Sequence, residues 1–181
     1  MTLSTILAAA RDRLVRADIP AADTAVDVDL FARTILGWDK ARLLTNLTSS
    51  PPDALEPRLS EWLVRRERHE PTAYIVGSRE FYGLDLLITP AVLIPRPETE
   101  FVVEEAARLL RSGSNARGDG PARVADIGTG SGCIAVALAR EVPGCTLVAT
   151  DVSQEALALA RQNGAGHGVR DRIQFVRSVY L

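Results

Sequence analysis

The chain has 181 residues, of which 46% are hydrophobic and 24% are charged, and its 21 basic and 23 acidic side chains leave a formal charge of −2 at pH 7. This composition is typical of a globular protein with a core, and it lacks the excess of basic residues that a general nucleic-acid binder needs. The two cysteines and two histidines are not spaced like metal ligands. No apolar run approaches the ~20 residues that span a bilayer. We therefore expect a cytoplasmic protein without direct contact to metal, membrane or nucleic acid.

Residues 1–75 are predicted to form a helical domain, because apolar residues recur there at helical spacing. The predicted helices are residues 2–19, which Pro20 ends, 21–37, 39–46 and 53–70. Thr2 or Ser4 is the expected cap of the first helix, and Asp23 is the expected cap of the second. Gly37 is the expected end of the second helix.

Residues 76–97 are predicted to form a β-hairpin linker. Leu84, Leu86 and Ile88 follow a period of two, and Phe81 precedes the turn between the two strands. Gly83 is the expected turn. Pro95 and Pro97 exclude a regular element at that point.

From residue 98 onwards, helix and strand patterns alternate. A helix is predicted from Glu98 to Arg111, and Ser112–Pro121 has the composition of a surface loop. The next five patterns are, in order, a strand RVADI, a helix CIAVALARE, a strand TLVATD, a helix SQEALALARQNG and a strand RIQFVRS. Such a series predicts a parallel, doubly wound sheet. The fold class is therefore α/β, a Rossmann-like and incomplete sheet preceded by the helical domain and the hairpin.

The turn between the first of these strands and the helix after it is rich in glycine. Its sequence, D-x-G-x-G-x-G, contains the residues that we expect to bind a cofactor: Asp126, Gly128, Thr129, Gly130, Ser131 and Gly132. Glycine permits the positive φ angles of a tight turn and the close approach of a ligand to the main chain. Dinucleotide-binding loops use G-x-G-x-x-G around a pyrophosphate, whereas the third glycine here comes one residue earlier. This spacing favours S-adenosylmethionine (SAM), whose ammonium group the preceding acid can help to bind.

Asp151 ends the strand TLVATD. An acid in this position accepts hydrogen bonds from the ribose hydroxyls of an adenosine, so it supports a nucleoside ligand without deciding between SAM and a nicotinamide cofactor. The alternative is that Asp151 only caps the helix that follows. In that helix, the run NGAG at Asn163 predicts the helix end.

The runs AYIVGSREFYGLDLLITPAVLIPRPETE and DIGTGSGCIAVALA closely resemble those of the protein-(glutamine-N(5)) methyltransferases that act on peptide-chain release factors. LIPRPETE is highly specific to that family, and the resemblance covers essentially the whole chain. It implies transfer of the SAM methyl group to the glutamine amide nitrogen in the Gly-Gly-Gln loop of class-1 release factors. Residues 1–75 would help to recognise the factor, and residues 98–181 would be the N-terminal part of the SAM-binding domain. We expect a monomer.

The resemblance also implies roles for single residues. Gly128 to Gly132 would hold the methionine end of SAM, Asp151 its ribose, and Tyr180 would pack on the adenine. Arg96, Pro97 and Glu98 would line a substrate pocket between the domains, or they would form only a proline-stiffened hinge before a helix.

The sequence departs from the family pattern in two places. The family's catalytic motif, Asn-Pro-Pro-Tyr, does not occur in the 181 residues, so the catalytic residues are unknown and we expect a fragment of a longer protein. Val179 stands where the family usually has an acid near the adenine.

Three other interpretations stay open. The chain could be a SAM-binding fragment without turnover, a nucleic-acid amino-methyltransferase, or a nicotinamide-dependent enzyme. The balanced charge and the LIPRPETE run disfavour the second, and the glycine spacing disfavours the third.

Overall fold

A computed structural model of the chain describes residues 1–112 and 122–179, in two units that divide between Val76 and Gly77. The loop predicted at 112–121 lies, apart from Ser112, outside the described residues, and so does Tyr180. Within the described residues, no helix combines the length and the apolar character needed to cross a membrane.

The first unit is helical, as predicted. Its elements are α1 (Leu3–Arg16), α2 (Ala21–Leu36), α3 (Lys40–Thr45), α4 (Leu55–Glu67) and α5 (Thr72–Val76). Thr2 caps α1, since its hydroxyl accepts a hydrogen bond from the Thr5 N–H, and Gly37 ends α2 with a left-handed φ of 62°. Both residues had been predicted for these positions.

Two details of this unit differ from the prediction. Asp23 as the cap of α2 is wrong, because the helix already begins at Ala21 after Pro20, and no side chain caps it. Asp23 instead lies in the first turn, where a negative charge stabilises a helix. The second difference is α5, a single turn after Pro71 that the periodicity did not predict.

The core of the first unit lies between α1, α2 and α4. Phe31 and Trp62 meet edge to face, with ring centroids 5.3 Å apart and an interplanar angle of 71°. Two ion pairs fix the helices around this core: Arg13 Nη2 lies 2.8 Å from Glu67 Oε2, and Arg66 Nε lies 2.7 Å from Asp27 Oδ2.

The second unit begins with a hairpin. Strands β1 (Ser78–Phe81) and β2 (Leu84–Leu87) are antiparallel. Tyr82 and Gly83 connect them with φ angles of 53° and 70°, which are the positive values of a two-residue hairpin turn. Gly83 was predicted there.

A 3-10 turn, Pro97–Thr99, follows the hairpin and leads into α6 (Glu100–Arg111). The helix therefore begins two residues later than the predicted start at Glu98. Proline fits this first, tighter turn because it has no N–H to leave without a partner.

The alternating part of the chain forms the predicted parallel sheet. Its elements are β3 (Arg123–Ile127), α7 (Cys133–Glu141), β4 (Thr146–Asp151), α8 (Gln154–Gly166) and β5 (Ile173–Arg177). The described strands stand in the order β3-β4-β5, with Ile127 opposite Thr150 and Asp151 opposite Arg177. The carboxyl ends of the three strands therefore meet at one edge, and the fold is α/β and Rossmann-like.

The predicted end of α8 at Asn163 is wrong, because the helix continues to Gly166. Gly164 is helical, and a side chain there would lie 3.4 Å from the ring of Phe175. The glycine therefore serves close packing against β5 and does not stop the helix.

Candidate cofactor site

The glycine-rich turn connects β3 to α7 at the carboxyl edge of the sheet. The N–H groups of Gly128 and Thr129 both donate to the carbonyl oxygen of Thr150, at 2.9 and 2.8 Å. The turn is therefore fixed to the neighbouring strand β4 through its main chain. Gly130 and Gly132 follow with φ angles of 55° and 82°, which side chains disfavour.

The three glycines of this turn face different surroundings. A Cβ atom added at Gly128 or Gly130 would have no heavy atom within 4 Å, whereas one added at Gly132 would lie 3.0 Å from Ala160 Cβ. Gly132 thus allows α7 and α8 to pack closely. Gly128 and Gly130 instead leave the main chain open towards the space above the sheet, where a ligand can approach it.

Asp151 holds this turn with its carboxylate. Oδ2 accepts a hydrogen bond from the Gly130 N–H and Oδ1 accepts one from the Ser153 N–H, both at 2.9 Å. The cap of α8 is Ser153, whose hydroxyl accepts from the Ala156 N–H at 3.1 Å, so the interpretation of Asp151 as the helix cap is wrong. Since a carboxylate oxygen has more than one acceptor position, Asp151 can accept further hydrogen bonds.

Asp126 lies beneath the turn and is only 8% exposed. Its Oδ2 accepts a hydrogen bond from the hydroxyl of Thr129 at 2.6 Å. Burial raises the pKa of Asp126, and the nearby charge of Asp151 raises it further, while the hydrogen bonds from Thr129 and from the Ala135 main chain act in the opposite direction. The contacts that the structure gives Asp126 are therefore with Thr129 of the turn and with the start of α7.

A cleft of about 310 Å³ opens beside Asp151. Its lining residues come from the ends of all three strands: Ile127, Gly128, Thr150, Asp151, Val152, Ser178 and Val179. Small-molecule sites have volumes of roughly 300–1,000 Å³, with apolar walls and few polar groups. The cleft fits this description, because exposed apolar side chains surround a single carboxylate.

The other predicted site residues lie elsewhere or are not described. Arg96, Pro97 and Glu98 are exposed at the 3-10 turn before α6, and they do not belong to the lining of the cleft. Ser131 is buried within the turn. Tyr180 lies outside the described residues, so its contact with adenine stays a prediction.

Asn163 is a polar residue of this region that the sequence reasoning missed. It is 2% exposed, and its amide group reaches the carbonyl of Ser131 inside the turn. A helical spacing of small buried residues, Ala160, Asn163 and Gly164, was the available signal, because it places the amide on the buried face of α8.

Two families match successive parts of the chain. Residues 5–77 match the PrmC N-terminal domain, and residues 124–180 match a methyltransferase domain. The first match falls on the helical unit, and the second begins within β3 and includes the turn, Asp151 and the cleft.

Relatives found by sequence include release factor glutamine methyltransferases of several bacteria. The protein of Nitratidesulfovibrio vulgaris is 42% identical over 97% of this chain and 57% of its own length, and that of Chlorobaculum tepidum is 47% identical over 84% and 52%. The chain spans about half the length of the curated relatives it matches. Among solved structures, the N-terminal domain of human METTL16 in complex with SAH has a TM-score of 0.43 and 23% identity, covering 75% of this chain and 47% of that chain.

Proposed function

We propose, since the chain belongs to the release factor glutamine methyltransferase family, that it binds SAM at the turn Gly128–Gly132 and at Asp151. In the whole protein, this site would serve methylation of the glutamine amide in the Gly-Gly-Gln motif of class-1 release factors. The observation that carries the proposal is the Asp151 carboxylate, which holds the open main chain at Gly130 and borders a cleft of about 310 Å³.

The described residues fit SAM in two respects. At Gly128 and Gly130, side chains would occupy the open space above the sheet, so glycine leaves room for the methionine part. Asp151 retains acceptor positions for the ribose hydroxyls, and the apolar side chains of Val152 and Val179 line the same cleft and can contact an adenine.

Binding and orientation are the tasks that these residues can perform. When bound, SAM supplies a methyl group on a positively charged sulfur. Asp151 would fix the nucleoside, while Asp126 would keep Thr129 in place through their hydrogen bond. Positioning of this kind lowers a reaction barrier because the reacting groups no longer have to find each other.

Replacement of Asp151 tests the cofactor proposal. Asp151→Ala should weaken the binding of S-adenosylhomocysteine (SAH) by about 1.5–3 kcal/mol, the usual loss for hydrogen bonds to a charged group, which corresponds to roughly 10- to 150-fold. Calorimetry measures this affinity, with NAD as the competing cofactor.

Ser153→Ala is the matched control, because it removes the actual cap of α8 and leaves the Asp151 carboxylate intact. It should lower stability and leave SAH affinity within about twofold. Preferential binding of NAD by the parent chain, or equal SAH affinity of parent and Asp151→Ala, would contradict the proposal.

The helical unit, residues 1–76, is the proposed contact for the release factor. Its match to the PrmC N-terminal domain supports this assignment. Pull-down of a release factor by residues 1–76 should exceed that by the remainder of the chain, and stronger binding by the remainder would count against it.

Three further expectations stay predictions: the pocket role of Arg96, Pro97 and Glu98, the monomeric state and the cytoplasmic location.

Turnover by these 181 residues alone is not expected. The sequence has no Asn-Pro-Pro-Tyr, and Asn163 is the only asparagine after the glycine-rich turn. Its side chain is only 2% exposed and binds Leu87 and Ser131, so a substrate amide cannot reach it. Transfer of a tritiated methyl group to a release factor should therefore require a version extended through the family motif. Comparable turnover by both versions would contradict this expectation.

A further inference from the structure

Asn163 joins three parts of the second unit through one buried amide group. Its Oδ1 accepts a hydrogen bond from the Leu87 N–H at 2.8 Å. Its Nδ2 donates to the Leu87 carbonyl at 3.0 Å and to the Ser131 carbonyl at 2.9 Å. Asn163 lies in α8, Leu87 ends β2, and Ser131 lies in the glycine-rich turn, so a single side chain connects helix, hairpin and turn.

Helix α8 contacts two successive residues of the turn, Ser131 and Gly132. The helix residues that make these contacts, Asn163 and Ala160, are three positions apart and therefore lie on the same face of α8. A Cβ atom added at Gly132 would lie 3.0 Å from the Cβ atom of Ala160, and Asn163 donates a hydrogen bond to the carbonyl of Ser131. This face of α8 thus fixes the end of the turn from which α7 begins.

The contact with the hairpin is equally specific. Both main-chain groups of Leu87 bind Asn163, so the end of β2 cannot slide along α8 without losing two hydrogen bonds. The next residue, Ile88, is buried and donates its N–H to the Gly77 carbonyl at 2.9 Å. From there the chain continues to the 3-10 turn at Pro97–Thr99.

The chemistry at this point requires a side-chain amide. One acceptor must face the Leu87 N–H, and donors must face two carbonyl oxygens. Aspartate supplies no donor at neutral pH, and an apolar side chain leaves all three main-chain groups without this partner.

We propose that Asn163 is a positioning residue of the cofactor site, which sets the glycine-rich turn relative to the end of the hairpin. This inference rests on the proposed binding of SAM by the turn. Loss of the amide shifts the carbonyl of Ser131 and the glycines next to it, so that cofactor affinity falls even where the fold persists.

The test compares SAH affinity among folded variants of the 181-residue chain. Asn163→Leu and Asn163→Asp should each weaken SAH binding by about tenfold, within the 5- to 150-fold range usual for coupling between sites. Val169→Ala is the control for stability, because Val169 is buried in the same core and has no part in the turn. His167→Ala is the control for the hairpin alone, since His167 Nε2 lies 2.9 Å from the Asp85 carbonyl oxygen. Both controls should retain SAH affinity within about twofold.

A second measurement covers the case in which the Asn163 variants do not fold. In the parent chain, saturating SAH should slow hydrogen exchange of the Leu87 N–H, because coupling between two sites is reciprocal. Unchanged exchange at Leu87, or SAH affinity in the Asn163 variants equal to that of Val169→Ala, would overturn the positioning role alone. Absence of SAH binding by the parent chain would overturn the proposed function and this role with it.

Discussion

The two units of the chain use their polar side chains differently. In the helical unit, charged side chains pair with one another between helices, as Arg66 does with Asp27. In the second unit, Asp151 and Asn163 bind the main chain of a turn and a hairpin. Each carboxylate oxygen of Asp27 and of Asp151 accepts one of these hydrogen bonds, but Asp27 is buried, whereas Asp151 borders an open cleft where a ligand can reach its remaining acceptor positions. This difference locates the candidate site in the second unit.

The largest expected effect concerns the open main chain of the turn. Gly130→Val places a branched side chain in the space that the ligand needs, and SAH binding should fall below detection by calorimetry. Gly37→Val is the matched control, because Gly37 also has a positive φ and no atom within 4 Å of an added Cβ, but it lies in the helical unit. That control should cost roughly 1–2 kcal/mol of stability and leave binding unchanged. Circular dichroism must show that both variants fold, and retained SAH binding by Gly130→Val would refute the role of the turn.

The next effect concerns the ion pair of the helical unit. Asp27 accepts hydrogen bonds from Arg66 and from the Thr72 hydroxyl, and the side chains of Asp27 and Arg66 are only 10% and 14% exposed. Asp27→Ala leaves a buried charge without its partner, so the free energy of unfolding should fall by about 3 kcal/mol, measured by urea denaturation.

Asp29→Ala is the control for that experiment. Its pair with Arg11 is more exposed, at 31% and 37%, and its loss should cost less than about 1 kcal/mol. SAH affinity should survive in both variants if charge pairs in this unit serve only its stability. Equal losses of stability would show that the depth of burial does not distinguish the two pairs.

The smallest effect concerns pH and has opposite signs in the two units. Burial raises the pKa of Asp126 in the folded state, so its contribution to stability is complete below the unfolded value of about 3.9 and is lost as the pH rises through the folded pKa. Asp126→Asn cannot ionise. The stability of the parent should therefore decline relative to this variant as the pH rises above about 4, and an increase would contradict the assignment.

Glu67 provides the contrast, because the hydrogen bond from Arg13 lowers its pKa. Its contribution is present above the unfolded value of about 4.3 and is lost as the pH falls through the folded pKa. Urea unfolding of Glu67→Gln should accordingly show the parent losing more stability than the variant on acidification.

The sequence predicted those features that depend on neighbouring residues in the chain. The glycine spacing, the alternation of strands and helices, and the turn at Gly83 each reflect local conformational preferences. The run NGAG led to the interpretation of Asn163 as a helix end, and its contact with Leu87, 76 residues away in sequence, could not be predicted because no local pattern reveals the partner. The predicted cap at Asp23 was wrong for a local reason: the helix begins at Ala21, directly after Pro20, and therefore already includes Asp23 in its first turn.

The contact between Phe31 and Trp62 has a spectroscopic consequence. Both tryptophans of the chain, Trp38 and Trp62, lie in the helical unit, and Trp62 is buried against the edge of Phe31. Indole emission therefore reports the loss of the helical core and is silent about the sheet. Circular dichroism, in contrast, reports helices of both units. If the units unfold separately, a cofactor bound to the second unit would raise the melting temperature of its part of the dichroism signal and leave the fluorescence transition in place. Fluorescence and circular dichroism of the same unlabelled sample would then distinguish the unfolding transitions of the two units.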